Sequence, residues 1–237
     1  SPEKVAAIMG VKEVSDVEEI ISFGSDIADG AISFDALIAA NISAPTPVEI
    51  DPANLSTIGY TSGTTGHPKG AMQSHHAVIT NGAMTSQMQM RGADDCIVSA
   101  LPCPHVYANV IMMSMMMFGS KLVLHRAFDV DLAFADITAH KATIFDGVPA
   151  MYMFMVNSPT IKDADLSSLT RCYVGGQTMP VATMEAVETA FKVPLIELWG
   201  MTEIAGLGST HPLLGSNKHG SIGCAIPYCE LRIADAE

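Results

Sequence analysis

Residues 61–70 concentrate the chemical groups best suited to binding phosphate. They read Thr-Ser-Gly-Thr-Thr-Gly-His-Pro-Lys-Gly and follow directly on a predicted buried strand at residues 55–60. Glycines let backbone N–H groups approach phosphate oxygens, hydroxyl groups add donors, and Lys69 adds a positive charge. The spacing of a Walker loop is absent, and a flexible Ser/Gly linker would not be expected to end in Pro-Lys-Gly behind a buried strand. We therefore predict phosphate contacts by Thr61, Ser62, Gly63, Thr64, Thr65, Gly66 and Lys69.

Together with Tyr60, this segment resembles the phosphate-binding loop of the adenylate-forming superfamily. That superfamily includes acyl-CoA synthetases, firefly-luciferase-like enzymes and the adenylation domains of peptide synthetases. A second segment, Glu-Leu-Trp-Gly-Met-Thr-Glu at residues 197–203, resembles the family's aromatic-Gly-x-Thr-Glu signature and also ends a predicted strand. The resemblance implies that a nucleotide is bound by Glu197, Trp199, Gly200, Met201 and Thr202.

The residue types of the second segment suit this role. The Trp199 ring can stack on adenine, the Thr202 hydroxyl can donate to a phosphate, and the Glu203 carboxylate can hold the Mg²⁺ that neutralises ATP. The family usually has tyrosine where this chain has its only tryptophan, a change that keeps stacking and removes a phenol hydrogen bond. Taken alone, Thr-Glu is typical of a solvated loop, and the match of both segments favours a site. We expect Lys69, Thr202 and Glu203 to be catalytic, with Glu203 as the metal ligand.

Two further segments carry a weaker resemblance. Residues 173–180 resemble the family's strand and turn whose backbone lies against adenine and whose glycines border the acyl pocket, which implies nucleotide contacts by Gly175, Gly176 and Gln177. Gln177 stands where many relatives have alanine, and a simple tight turn is the alternative. Residues 101–107 resemble the segment in which a histidine or aromatic residue gates the carboxylate pocket. We therefore expect His105 near the reacting carboxylate, although a histidine before a helix is often structural.

Five methionines between residues 112 and 117 lie in the helix predicted after His105. Methionine fills irregular apolar space and adapts to flexible ligands. We expect Met112 and Met116, together with Gly175 and Gly200, to line a pocket for an aliphatic or aromatic acyl group. Ordinary core packing is the alternative, because five methionines cannot all face one pocket.

Strand and helix patterns alternate after a proline-rich linker at residues 45–52. This alternation is typical of an α/β fold with a mostly parallel sheet and helices on both faces. In such folds ligands bind beyond the carboxyl ends of the strands. Strands are predicted at 55–60, 96–100, 121–124, 143–145, 171–174 and 195–198, and helices at 76–90, 106–118, 131–140, 149–157 and 180–191.

The resemblance also suggests how the chain is divided. Residues 1–50 correspond to the remnant of a preceding subdomain with the linker, and residues 51–215 to an α/β subdomain that binds ATP and the acyl group. Residues 216–237 correspond to the start of a small β-barrel, with a strand predicted at 230–234.

Composition and charge exclude several classes of function. The 237 residues carry 12 Lys+Arg and 25 Asp+Glu, a net charge of −13, so a basic face for nucleic acid is excluded. The five cysteines include no C-x-x-C pair. This usage is typical of free thiols in a reducing compartment, so we expect a cytoplasmic location. The uncharged stretch at 97–120 is broken by proline, histidine, asparagine and glycine, so we expect no transmembrane span.

The resemblance implies an activity in two half-reactions. A carboxylate attacks the α-phosphate of Mg·ATP to give an acyl-adenylate and pyrophosphate, and coenzyme A then displaces AMP to give a thioester. The expected substrate is a medium- or long-chain fatty acid or an aryl acid.

The chain corresponds to the middle of a family member. The N-terminal portion, a ribose-binding Thr-Gly-Asp segment and a C-terminal domain with its lysine are not among these residues. We therefore expect the fragment alone to be inactive. The alternatives are a non-catalytic nucleotide-binding module and adenylation for a carrier protein instead of coenzyme A.

Overall fold

The computed structural model describes residues 8–10, 16–24, 27, 29–41, 46–63 and 66–235. Thr64 and Thr65, which are predicted to bind phosphate, lie outside these residues. The chain divides into two compact units, Ser1–Glu49 and Ile50–Glu237. The further division at residue 216 stays a prediction.

The first unit contains a short parallel strand pair and a helix. Strand β1 (Ile21–Ser22) pairs with β2 (Ile32–Ser33), and helix α1 (Phe34–Ala40) follows at once. The helix begins there because the Ser33 hydroxyl accepts a hydrogen bond from the backbone N–H of Ala36 at 3.3 Å.

The second unit is built on a large sheet. Its strands are β3 (Leu55–Thr61), β4 (Lys69–Ser74), β5 (Cys96–Ser99), β6 (Lys121–Leu124), β7 (Ile144–Gly147), β8 (Arg171–Val174), β9 (Leu195–Met201), β10 (Gly206–Thr210) and β11 (Cys224–Ala225). In the described part of this unit, seven of them form one sheet in the order β11-β10-β9-β8-β7-β5-β6. The five strands from β9 to β6 are parallel, and β10 and β11 continue the sheet antiparallel.

Helices cover both faces of this sheet. They are α2 (His75–Met88), α3 (Val106–Phe118), α4 (Val130–His140), α5 (Pro149–Asn157) and α6 (Val181–Phe191). Alternate strand residues point to opposite faces, so Ile144 packs with α2 and α3 whereas Phe145 packs with α4, α5 and α6. The predicted fold class, a mostly parallel sheet between two helical layers, is confirmed.

The carboxyl ends of the parallel strands meet at one edge of the sheet. The segment that ends in His105 follows β5, the Gly175–Gly176 turn follows β8, and Thr202 follows β9. The topology therefore brings three of the predicted segments to the edge where ligands bind in sheets of this kind.

The strand before the phosphate loop differs from the prediction. Strand β3 is largely exposed and pairs antiparallel with β4, with Thr61 opposite Lys69, in a separate two-stranded hairpin. The prediction of a buried strand at 55–60 within the parallel sheet is therefore wrong. The chain reverses through Gly63 and Gly66, whose φ angles are +64° and +82°, and places the apolar side chains of β3 on a hairpin face rather than in the core.

The C-terminal region also differs from the sequence prediction. No strand covers 230–234 within the described residues, so that prediction is wrong. Strands β10 and β11 were not predicted, because Gly-Leu-Gly-Ser-Thr and Cys-Ala lack the apolar runs of the central strands. Across the part of the chain that the structure describes, no helix combines the length and apolar character needed to span a bilayer.

Candidate functional site

The β3–β4 hairpin packs directly on the turn that carries Thr202 and Glu203. The Gln73 side-chain amide on β4 donates a hydrogen bond to the backbone oxygen of Thr202 at 2.7 Å. Gly59 on β3 leaves room for the Thr202 methyl group, since a Cβ at residue 59 would lie 2.5 Å from it. The structure therefore brings the hairpin strands that flank the loop of the first segment into contact with the second segment.

Strand geometry places Lys69 on the face of the hairpin that meets this turn. Side chains two residues apart on a strand share a face, so Lys69 lies on the same face as Gln73, and Thr61 on the same face as Gly59. Thr61 and Lys69 are opposite each other in the register. Both therefore lie at the loop end of the face that contacts Thr202.

Two glycines of the loop between these strands adopt backbone conformations that favour glycine. Gly63 and Gly66 have positive φ, and the N–H of Gly66 donates to the oxygen of Gly63 at 3.4 Å. A Cβ on Gly63 would collide with the backbone oxygen of His67 and lie 3.6 Å from the Lys69 side chain. Glycine is therefore needed here for both conformation and space, and Ser62, Gly66 and Lys69 remain exposed.

A cavity of about 390 Å³ lies beside the second half of β9 and the turn that follows β8. Its walls include five of the predicted nucleotide-binding residues on β9 or the turn after β8, namely Gly176, Gln177, Glu197, Trp199 and Gly200. The indole of Trp199 is 37% exposed. The cavity thus lies between the predicted segments 173–180 and 197–203. It presents an aromatic surface and several backbone groups to a flat ligand.

Three glycines near this cavity allow neighbouring side chains and backbone to pack closely against them. A Cβ on Gly175 would meet the side chain of Leu198, and a Cβ on Gly200 would meet the backbone of Gly206. A Cβ on Gly208 would lie 2.6 Å from the Trp199 ring. The indole therefore lies over β10 because residue 208 has no side chain.

Glu197 has a structural role that the sequence did not reveal. It is buried, and its carboxylate accepts a hydrogen bond from the backbone N–H of Gly220 at 2.8 Å. This bond holds the loop at 216–223, whose residues Gly220 and Ile222 also line the cavity. Sequence analysis missed both residues, and the only available signal was a Gly/Ser-rich loop between short strands.

His105 is the N-cap residue of helix α3, directly before Val106. Its Nδ1 accepts a hydrogen bond from the backbone N–H of Tyr107 at 3.2 Å, and the side chain is exposed at the sheet edge. This contact gives His105 a structural role at the start of the helix, which was the alternative to a role at the carboxylate. It also leaves the Nε2 atom free of that bond, so the predicted role at the carboxylate stays a prediction.

The two methionines assigned to the acyl pocket lie further along α3. Met112 is half-buried and Met116 is 56% exposed. At about 1.5 Å of rise per residue, Met116 lies about 16 Å along the helix from His105. The structure does not bring Met116 to the loops at the strand ends, and the acyl-pocket role of both methionines stays a prediction.

The turn after β9 presents oxygen ligands, namely the Thr202 hydroxyl and the Glu203 carboxylate. Glu203 is exposed and the Thr202 side chain is half-buried. Among the residues that the structure describes, no group of three or more His, Cys, Asp or Glu side chains could hold a metal ion. In the core on the α2 and α3 side of the sheet, burial raises the pKa of Tyr173 to about 12, so its hydroxyl stays protonated and donates to the oxygen of Gln89 at 3.0 Å.

Comparison with known proteins identifies the family. The family described as "AMP-binding enzyme" matches residues 2–237. The chain belongs to this AMP-binding family. Its membership agrees with a glycine-rich hairpin that contacts Thr202 at the end of β9 and a cavity that is lined by β9.

Two relatives support the assignment. The chain is 33% identical over 235 residues to indoleacetate–CoA ligase from Aromatoleum aromaticum, covering 98% of this chain and 46% of that protein. It is 30% identical over 193 residues to long-chain-fatty-acid–CoA ligase from Bacillus subtilis, covering 80% and 34%.

The fold is similar to that of the anthranilate–CoA ligase AuaEII, with a TM-score of 0.87 and 21% identity over 99% of this chain and 46% of that one. The chain thus spans less than half the length of the relatives it matches.

Proposed function

We propose that this chain forms the nucleotide-binding part of an enzyme that activates a carboxylic acid with ATP. The product of the first step is an acyl-adenylate, and coenzyme A then takes up the acyl group as a thioester. The observation that carries the proposal is the contact between the glycine-rich hairpin and Thr202, next to the Trp199 cavity. Together they offer an adenine surface and a phosphate-binding loop at one sheet edge.

The cavity suits an adenosine group. The Trp199 ring supplies a stacking surface, and Gly176 and Gly200 let backbone groups approach the base closely. From there, the nucleotide's phosphates would extend toward Thr202 and the hairpin face that carries Thr61 and Lys69. These residues position the polyphosphate and neutralise its charge, which is most of what phosphoryl and nucleotidyl chemistry requires of a protein.

The donor set of the turn fits Mg²⁺. This ion usually keeps several waters and is held by one or two carboxylates together with substrate phosphates. Glu203 would hold it, with Thr202 beside it, and the ion would supply charge neutralisation at the phosphates.

The proposed acid is a medium- or long-chain fatty acid or an aryl acid. The indoleacetate and long-chain-fatty-acid ligases among the relatives support these two classes. They also support coenzyme A over a carrier protein as the acceptor. All five cysteines are free thiols, which is compatible with a cytoplasmic location.

We expect AMP to change the fluorescence of Trp199, because adenine would stack on the only tryptophan of the chain. Trp199→Ala should weaken AMP binding about tenfold, since stacking on an aromatic side chain contributes about 1–3 kcal/mol. Trp199→Tyr should retain most of the affinity. Fluorescence titration and isothermal titration calorimetry on the 237-residue chain measure both effects. Ribose 5-phosphate, which lacks the base, is the control ligand, and equal responses to it and to AMP would contradict the proposed site.

Catalysis itself is expected from a longer polypeptide that contains these residues. The 237-residue chain should show little or no carboxylate-dependent exchange between ATP and pyrophosphate, because the relatives are more than twice as long. The longer polypeptide should show exchange with fatty or aryl acids. A panel of acids in the exchange assay measures this. Nucleotide binding without exchange by the longer polypeptide would support a non-catalytic module instead.

A further inference from the structure

The turn between β9 and β10 has an unfavourable backbone. It consists of the 3₁₀ segment Thr202–Ile204, then Ala205 with φ +62° and Gly206 with φ +149°. The left-handed region is unfavourable for alanine, and such residues persist only where the surrounding structure holds them. Ala205 is buried. Contacts from outside the turn must therefore keep this conformation.

Two buried amide side chains make those contacts. Gln73 donates to the backbone oxygen of Thr202 at 2.7 Å, on the first residue of the turn. Asn81 binds the other end, because its Nδ2 donates to the oxygen of Leu207 at 2.7 Å and its Oδ1 accepts from the N–H of Leu207 at 2.9 Å. Each amide residue is 5% exposed. We call this pair, Gln73 and Asn81, the amide clamp.

Asn81 also constrains the middle of the turn. Its Nδ2 lies 3.4 Å from the oxygen of Ile204, and a Cβ on Gly206 would collide with its Oδ1. The Asn81 side chain can therefore occupy this position only because residue 206 is glycine. A buried backbone group that loses such a partner is costly, so the clamp determines where the turn lies.

Both members of the clamp follow the phosphate loop in the chain. Gln73 lies on β4, the strand that begins with Lys69, and Asn81 lies on α2, which begins directly after β4. The elements that carry Lys69 and those that hold Thr202 are therefore one continuous stretch of polypeptide. A shift of the hairpin would move Lys69 and the turn together.

We propose that Gln73 and Asn81 are positioning residues that fix Thr202 and Glu203 relative to Thr61 and Lys69 for binding of the ATP polyphosphate. The inference rests on the proposed function of this site. According to this inference, the clamp supports binding of the two ATP phosphates that AMP lacks. Adenine recognition belongs to the Trp199 cavity and does not depend on the clamp.

The test compares AMP with Mg·ATP on the 237-residue chain, with Trp199 fluorescence as the readout. Gln73→Met keeps the size of the side chain and removes the amide. It should weaken Mg·ATP binding about tenfold, which corresponds to about 1.4 kcal/mol, and AMP binding less than threefold. Gln87→Met, the same change at an exposed position of α2, is the matched control and should alter neither affinity. Gln73→Glu, which has no N–H to donate when ionised, should reproduce the selective loss.

The possible outcomes separate the inference from the function on which it rests. If the unmodified chain binds neither nucleotide, the proposed function fails and the inference with it. If the unmodified chain binds both and the Gln73 variants weaken both equally or neither, the inference alone is overturned. Circular dichroism and hydrogen exchange at residues 202–207 accompany the titrations. Faster exchange confined to this turn supports positioning, whereas variants unfolded throughout would show that Gln73 is needed for the fold itself and overturn the proposal.

Discussion

Arg91→Met is expected to lower the free energy of unfolding by about 3–5 kcal/mol, since it leaves the buried carboxylate of Asp146 without its positively charged partner. Arg91 donates to both Asp146 oxygens at 2.8 Å, and their side chains are 1% and 0% exposed. Folded domains have about 5–15 kcal/mol of net stability. The variant should therefore be only marginally folded.

The surroundings of the pair explain why neither partner can be removed alone. Burial by itself would lower the pKa of the Arg91 guanidinium, but the charge and hydrogen bonds of Asp146 outweigh burial and raise the pKa. Tyr107 donates to Asp146 at 3.0 Å, and the Arg91 guanidinium lies 4.9 Å from the centre of the Tyr173 ring. The ion pair thus joins the loop before β5 to α3 and to β7 and β8.

Chemical denaturation followed by circular dichroism measures this effect. Arg126→Met is the matched control, because Arg126 is exposed, and it should change stability by no more than about 0.5 kcal/mol. The double variant Arg91→Met/Asp146→Leu should recover most of the loss, because replacing a whole buried pair by apolar residues is often neutral or stabilising. A loss for Arg91→Met no larger than that for Arg126→Met would contradict the prediction.

Glu203→Ala or Lys69→Ala is expected to lower turnover about 100- to 1,000-fold in the longer polypeptide, the range seen when one charge-stabilising group is removed from a reaction site. Both side chains are exposed, one on the turn after β9 and one at the start of β4. Neither takes part in the core. Their loss should therefore change the melting temperature little while it removes charge neutralisation at the phosphates.

Exchange kinetics beside melting curves test this pair of variants. Glu185→Ala and Lys162→Ala make the same changes at exposed positions on α6 and the 3₁₀ segment Pro159–Asp163, and they should leave turnover unchanged. A large drop in melting temperature for Glu203→Ala or Lys69→Ala would assign these residues to the fold. Unchanged turnover would remove them from the catalytic set.

The central strands were predictable because their environment is simple. Strands β5, β7 and β8 are buried on both faces, so they read as short runs of mainly apolar residues between helical patterns. The hairpin strand β4 reads Lys-Gly-Ala-Met-Gln-Ser, which has neither an apolar run nor strict alternation. It is a strand because the preceding loop reverses the chain beside β3, and no local pattern predicts that pairing.

The residues of the candidate site could likewise be predicted only in part. Lys69, Trp199, Thr202 and Glu203 could be named as candidates because their two segments resemble motifs of one family, although Thr-Glu taken alone is typical of a solvated loop. Glu197 could be named as well, yet its contact with Gly220 belongs to the cavity wall rather than to a ligand. An acid in a motif does not reveal whether its carboxylate faces a ligand or the backbone of a loop.

By itself, the sequence determined the α/β class and the family resemblance, since these depend on local composition and short spacings. Only the tertiary structure decided which elements meet. Gln73 reaches Thr202 across 129 residues and Asn81 reaches Leu207 across 126. A side-chain amide has the same donors and acceptors wherever it lies, so its role depends on packing that brings distant backbone groups within hydrogen-bonding distance.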